Sequence, residues 1–150
     1  MSDMIIHTNI DIDSTAAEAW SLFGEGFADW ATWAPGIDHS ALEGPLAQHV
    51  VRVNQTTTLG TVRQELVRFD RDERALAYEM TDNLPSFFTR VRNDWVIVPL
   101  APNRCRLKGE AIFVLTDEAE PMRPKLQGKM GMAMEVFAKA FSEQLQSKPQ

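Results

Sequence analysis

Cysteine is almost absent. Cys105 is the only one in 150 residues, so neither an internal disulfide nor a multi-cysteine zinc site can form. Positive charge is also in deficit: 15 Lys and Arg against 21 Asp and Glu give a net charge of -6. A nucleic-acid or anionic-membrane surface would need the opposite balance. The acidic residues are spread out rather than run together, so there is no acidic tail. His7, His39 and His49 have no metal-like spacing, with no His-x-Glu or His-x-x-x-His pair among them. Ser14 has no Gly-x-Ser-x-Gly setting, which leaves a hydrolase triad unsupported. No nucleotide or flavin motif occurs, and no cofactor or metal is expected. No apolar stretch is long enough to span a membrane, and Met1-Ser2-Asp3-Met4 lacks the basic and apolar regions of a signal peptide. A soluble cytoplasmic protein without nucleic-acid partners or membrane insertion is therefore expected.

Hydrophobic residues make up 44% of the chain, enough for a proper core in one domain over residues 1–150. Residues 4–12 alternate, with Ile6, Ile10 and Ile12 on one face, as in a half-buried strand. Asp13-Ser14 offers a helix N-cap, with Glu18 one residue too far from Ser14 for a strict capping box. A short helix follows to Phe23, and Phe27 to Trp33 reads as a further turn or two stopped before Pro35. From 38 to 116 the period is two. Strands are expected over His39–Glu43, Val50–Leu59, Thr61–Phe69, Ala75–Thr81, Phe87–Val98 and Arg104–Thr116, with a turn over Pro99–Asn103. After Pro124 the period becomes helical, through Leu126, Met130, Met134, Phe137, Phe141 and Leu145. Over 124–147 that helix would be roughly 36 Å long at ~1.5 Å per residue. Neighbouring strands without helices between them mean an antiparallel sheet and an α+β fold.

Several segments carry a family resemblance. They are Ile10 to Trp20, the Trp-x-x-Trp-x-Pro-x-Ile turn from Trp30 to Ile37, and Thr61-Val62-Arg63-Gln64-Glu65-Leu66 after a glycine hairpin. Asp72-Glu73-Arg74 leading into Tyr78, and the Met-rich final helix, complete the set. The chain resembles the START-related SRPBCC superfamily of polyketide cyclases, dehydrases and lipid-transfer proteins. That resemblance implies the helix-grip fold: a curved antiparallel sheet of six to seven strands around a long C-terminal helix, with two short helices after the first strand. Several relatives place an acid in the cavity where this chain has Gln64, and an amide cannot act as a general base there.

The implied cavity directs attention to particular side chains. Gln64 and Asn93 each interrupt an apolar strand face. Each is either a satisfied cross-strand hydrogen bond or a polar anchor for a ligand. Register leaves Arg52 open: a two-residue hairpin puts Val51 and Val53 inside, and a three-residue turn puts Arg52 and Asn54 there. Hydrophobicity favours the valines inside and Arg52 at the surface, whereas the resemblance favours an inward Arg52, which would suit a carboxylate or enolate. Trp33 is expected to be packing, and Trp30 and Trp95 to line a pocket mouth or wall. Tyr78 offers a phenol, and Leu66, Met80, Met134 and Phe137 apolar walls. The final helix is expected to cross the faces carrying Leu66, Met80, Val91 and Gly109, with Gly109 leaving room for helix or ligand. Gly24, Gly26, Pro35, Gly36 and the Leu84-Pro85 loop are expected lids. A binder of a small hydrophobic, aromatic or polyketide-like molecule is the leading reading. A cofactor-independent cyclase or dehydratase and an interaction module with a filled core are the rivals.

Overall fold

The computed structural model describes residues 3–147; Met1, Ser2 and residues 148–150 lie outside that range. The alternation near the N-terminus becomes β1 (Asp3–Ile12), which turns Met4, Ile6 and Ile12 inward. Helix α1 (Ala16–Trp20) follows, and its cap is Thr15 rather than Asp13-Ser14: the Thr15 hydroxyl accepts from the Glu18 N–H at 3.0 Å. Counted from Thr15, Glu18 stands at the capping-box spacing after all. A π-helical turn over Ser21–Glu25 and a 3-10 segment over Phe27–Thr32 complete the connection.

Six strands come next: β2 (Ile37–Leu42), β3 (Val51–Thr56), β4 (Gly60–Asp70), β5 (Ala75–Asp82), β6 (Phe88–Ala101) and β7 (Arg104–Leu115). Strand β6 runs through most of the expected Pro99–Asn103 turn. Every pairing is antiparallel, in the order β1-β7-β6-β5-β4-β3-β2. A 3-10 segment over Asp117–Met122, which the sequence patterns did not reveal, leads into α2 (Arg123–Gln146). This is the helix-grip fold.

The hairpin between β3 and β4 corrects the expected surface position of Arg52. Thr56 pairs with Gly60, so the loop is three residues long, Thr57 to Leu59. Two features select that length. Gly60 has φ of 71°, in the left-handed region such loops require. The Thr56 hydroxyl accepts from Leu59 N–H at 3.0 Å and donates to Gly60 C=O at 2.8 Å. Arg52 and Asn54 consequently point inward, opposite Gln64 and Val62, and are 1% and 2% exposed.

Helix α2 sends Leu126, Met134, Phe141 and Leu145 into the core, but its backbone comes closest to β1. Over the middle strands it packs through side chains, with the Phe137 and Trp95 rings 5.1 Å apart. Gly109 leaves no vacancy, because a Cβ there would run into the Trp95 ring. On the outer face, Arg90 pairs with Glu79 at 2.8 Å, Arg92 with Asp94 at 2.8 Å and Arg106 with Asp11 at 2.6 Å. Glu65 and Glu110 pair instead with His49 and His7.

Candidate functional site

Two inward regions hold the polar residues singled out from the sequence. The first is a groove of about 540 Å³ between the middle strands and α2. Tyr78, Asn93, Trp95 and Phe113 form its floor, and Met130, Met134 and Phe137 its helical wall. Cross-strand pairing assembles the floor: Tyr78 stands opposite Asn93, which stands opposite Ala111, while Trp95 stands opposite Gly109. The missing side chain at Gly109 lets the Trp95 indole lie over β7 instead of standing away from it. Its Nε1–H donates to the Tyr78 hydroxyl at 3.2 Å. The hydroxyl's own hydrogen has no protein acceptor among the described residues. Burial pushes the Tyr78 phenol up, against a smaller opposing effect of Arg52, so it stays protonated at neutral pH.

Asn93 is half-buried in this groove, and its amide makes no hydrogen bond to protein among the described residues. Lys129, at the rim, is the one charged side chain among the lining residues, and Tyr78 and Asn93 are the polar groups of the floor. The volume and the few convergent polar groups are those of a small-molecule site.

The second region lies under the 3-10 segment. Arg52 Nη1 donates to Phe27 C=O at 2.8 Å and Nη2 to Gln64 Oε1 at 2.6 Å. Asn54 Nδ2 donates to the same Gln64 oxygen at 2.9 Å. The guanidinium stacks on Phe27, 3.8 Å from the ring centre, and on Trp30 at 4.2 Å. No carboxylate pairs with it among the described residues. Burial pulls its pKa down to about 10, which still leaves it charged at neutral pH. Arg52 Nε and Asn54 Oδ1 are buried without partners.

The two amides therefore separate. Gln64 belongs to a cross-strand network, whereas Asn93 faces open space. Trp95, Tyr78, Met134 and Phe137 line the groove; Leu66, Met80, Arg52 and Gln64 do not. Trp30 corrects the expected pocket wall: it is 1% exposed, its Nε1–H donates to Phe23 C=O at 2.9 Å, and Phe23, Phe27, Tyr78 and Phe137 surround it. A ring that large, with its one donor satisfied by backbone, behaves as core. The sequence patterns did not place Phe113 and Met130 in the groove, although their two-residue and four-residue offsets from Ala111 and Met134 were available signals. Asn54, set beside Arg52 by the three-residue turn, joins it through Gln64.

Residues 4–147 match the family described as polyketide cyclase / dehydrase and lipid transport. The chain belongs to that family. Solved structures of the same fold include norcoclaurine synthase from Thalictrum flavum in complex with dopamine and hydroxybenzaldehyde. That match is 17% identical, covers 99% of this chain and 90% of that one, and has a TM-score of 0.76. The Zhui aromatase/cyclase from a Streptomyces species is 14% identical over 97% of this chain and 94% of that one, with a TM-score of 0.78. A protein from Thermobifida fusca is 24% identical over 94% and 92%, with a TM-score of 0.79. Likeness at these identities establishes the shared fold of this family member. Curated protein sequences give no significant match. No helix among the described residues is long and apolar enough to cross a membrane.

Proposed function

We propose that this family member, folded as one domain, binds a small and mainly apolar molecule in the groove. The ligand is a flat aromatic or polyketide-like compound whose carbonyl or hydroxyl group meets Asn93 and Tyr78. The observation that carries this reading is the unengaged Asn93 amide in a mainly apolar groove of about 540 Å³. An amide left free there offers a donor and an acceptor in low dielectric, where each is worth more than in water. A groove of this size also gives less support to an interaction module with a filled core.

Titration calorimetry with 1-naphthol and with naphthalene tests the proposal. Asn93→Leu is expected to weaken 1-naphthol by roughly 1–3 kcal/mol, the usual effect of losing a buried hydrogen-bond partner, and to leave naphthalene unchanged. Equal losses for both would sink it.

One observation favours a cyclase or dehydratase as second reading: Arg52 is a buried cation without a carboxylate, behind Tyr78, where it would favour a developing enolate. Two observations place it second. Trp30 and Tyr78 stand between Arg52 and the groove, and no carboxylate or histidine lines the groove to move protons. Turnover of a polyketide-type substrate that is lost in Arg52→Met would reverse the order.

A further inference from the structure

Most glycines of this chain are required either by close packing or by a positive φ. A Cβ on Gly24 would run into the Trp20 ring, and one on Gly26 into the Leu22 carbonyl. These glycines fit their neighbours, so the connection after α1, an expected lid, is held in place by packing. Gly128 and Gly131 differ. Both lie inside α2, and a Cβ on either meets nothing within 4 Å. Neither close packing nor a left-handed backbone accounts for them there. Their effect is to weaken the helix, each by about fivefold in the helix–coil equilibrium relative to alanine.

The weakened turn stands over the groove. Lys129, Met130, Met132 and Ala133 line it, and Met132 is 68% exposed. Buried Leu126 precedes the turn and buried Met134 follows it, while Met130 is the only partly buried large side chain between them. Helix stability in proteins comes mainly from packing of the buried face, and this turn has little of it. Toward the C-terminus Ala138, Phe141, Ser142 and Leu145 are all buried, so that half is held more firmly. At the N-terminal end, Met122 supplies no side-chain cap. The Arg123–Glu120 ion pair at 2.8 Å ties the start of the helix to the preceding 3-10 segment, and the weakly packed stretch lies between buried Leu126 and Met134.

We propose that the 128–133 turn of α2 is the portal of the groove, opening by local loss of helix between Leu126 and Met134 to admit and release the ligand. This rests on the binding function proposed above. The test compares the full chain with Gly128→Ala/Gly131→Ala by amide hydrogen exchange and by stopped-flow binding of 8-anilinonaphthalene-1-sulfonate. In the unsubstituted protein, amides 130–134 are expected to exchange faster than amides 138–145. The double substitution should slow exchange in the turn by up to about twenty-fivefold, the product of two fivefold effects. Association and dissociation of the dye should slow together by the same factor, leaving Kd within about twofold, because neither glycine lines the groove and only the opening equilibrium changes. Amides 130–134 exchanging as slowly as 138–145 would overturn the portal. Slowed exchange with unchanged dye kinetics would overturn it as well. No dye binding to either protein would instead overturn the binding function.

Discussion

Replacing Arg52 by methionine and by lysine should give opposite results to those a conservative-substitution rule suggests. Keeping the guanidinium charged while its pKa is pulled down to about 10 costs the folded state on the order of 3 kcal/mol at neutral pH. Arg52→Met removes that cost and keeps a chain of similar shape against Phe27 and Trp30. It leaves Phe27 C=O without a donor, at about 1–3 kcal/mol, whereas Gln64 Oε1 keeps Asn54 Nδ2 at 2.9 Å. The two effects offset, and the variant is expected to lie within about 2 kcal/mol of the parent. Arg52→Lys keeps a charge to desolvate, cannot reach Phe27 and Gln64 with a single ammonium, and loses the flat stack on two rings. Its expected loss is about 2–4 kcal/mol. Urea unfolding at pH 7, followed by tryptophan fluorescence and circular dichroism, measures both. A lysine variant more stable than the methionine variant would refute this account.

Gly109→Ala should destabilise by about 1–3 kcal/mol, since the new methyl meets a rigid indole, and it should move Trp95 into the groove; an unchanged urea midpoint and emission spectrum would contradict this. Glu79 is held below the ordinary carboxylate range, first by hydrogen bonding from Arg90, so the unfolded chain binds more protons in acid than the folded one. Its contribution is present above the ordinary range and is lost as pH falls through the folded value. The stability gap between the parent and Glu79→Gln should accordingly close as the pH falls from neutral through and below the ordinary carboxylate range, and a gap independent of pH would count against the ion pair.

Much of the fold was legible because its elements have clean periods. The Ile6-Ile10-Ile12 face and the Leu126-to-Leu145 stripe need only local spacing to be read. Arg52 was not legible. Hydrophobicity ranks Val51 and Val53 as the inner pair, and the side facing inward is decided by a loop length set by the Thr56 hydroxyl and the backbone at Gly60. Gln64 and Asn93 look alike in sequence because each follows and precedes apolar alternates. They differ in what the sheet sets opposite them: Gln64 meets Arg52, and Asn93 meets Ala111. Cross-strand neighbours depend on register over the whole sheet, which no window of sequence contains. Trp30 fails as a wall for a similar reason, since Tyr78 and Phe137 close around it from elements distant in the chain.

The pairing of β1 with β7 has a consequence for how the chain reaches this state. Asp3 aligns with Val114 and Ile12 with Cys105, so among the described residues the first strand's one sheet partner is β7, the last strand in chain order. Most of the molecule must be synthesised before that ladder can form. Until then Met4, Ile6 and Ile12 have no sheet to cover, and α2 has no strand to rest on. Closing so long a loop before any contact rewards it slows folding and exposes an apolar strand to other chains meanwhile. Refolding yield should therefore be governed by protein concentration during this late docking step, while β3 to β6, joined by short hairpins, assemble early and independently of it.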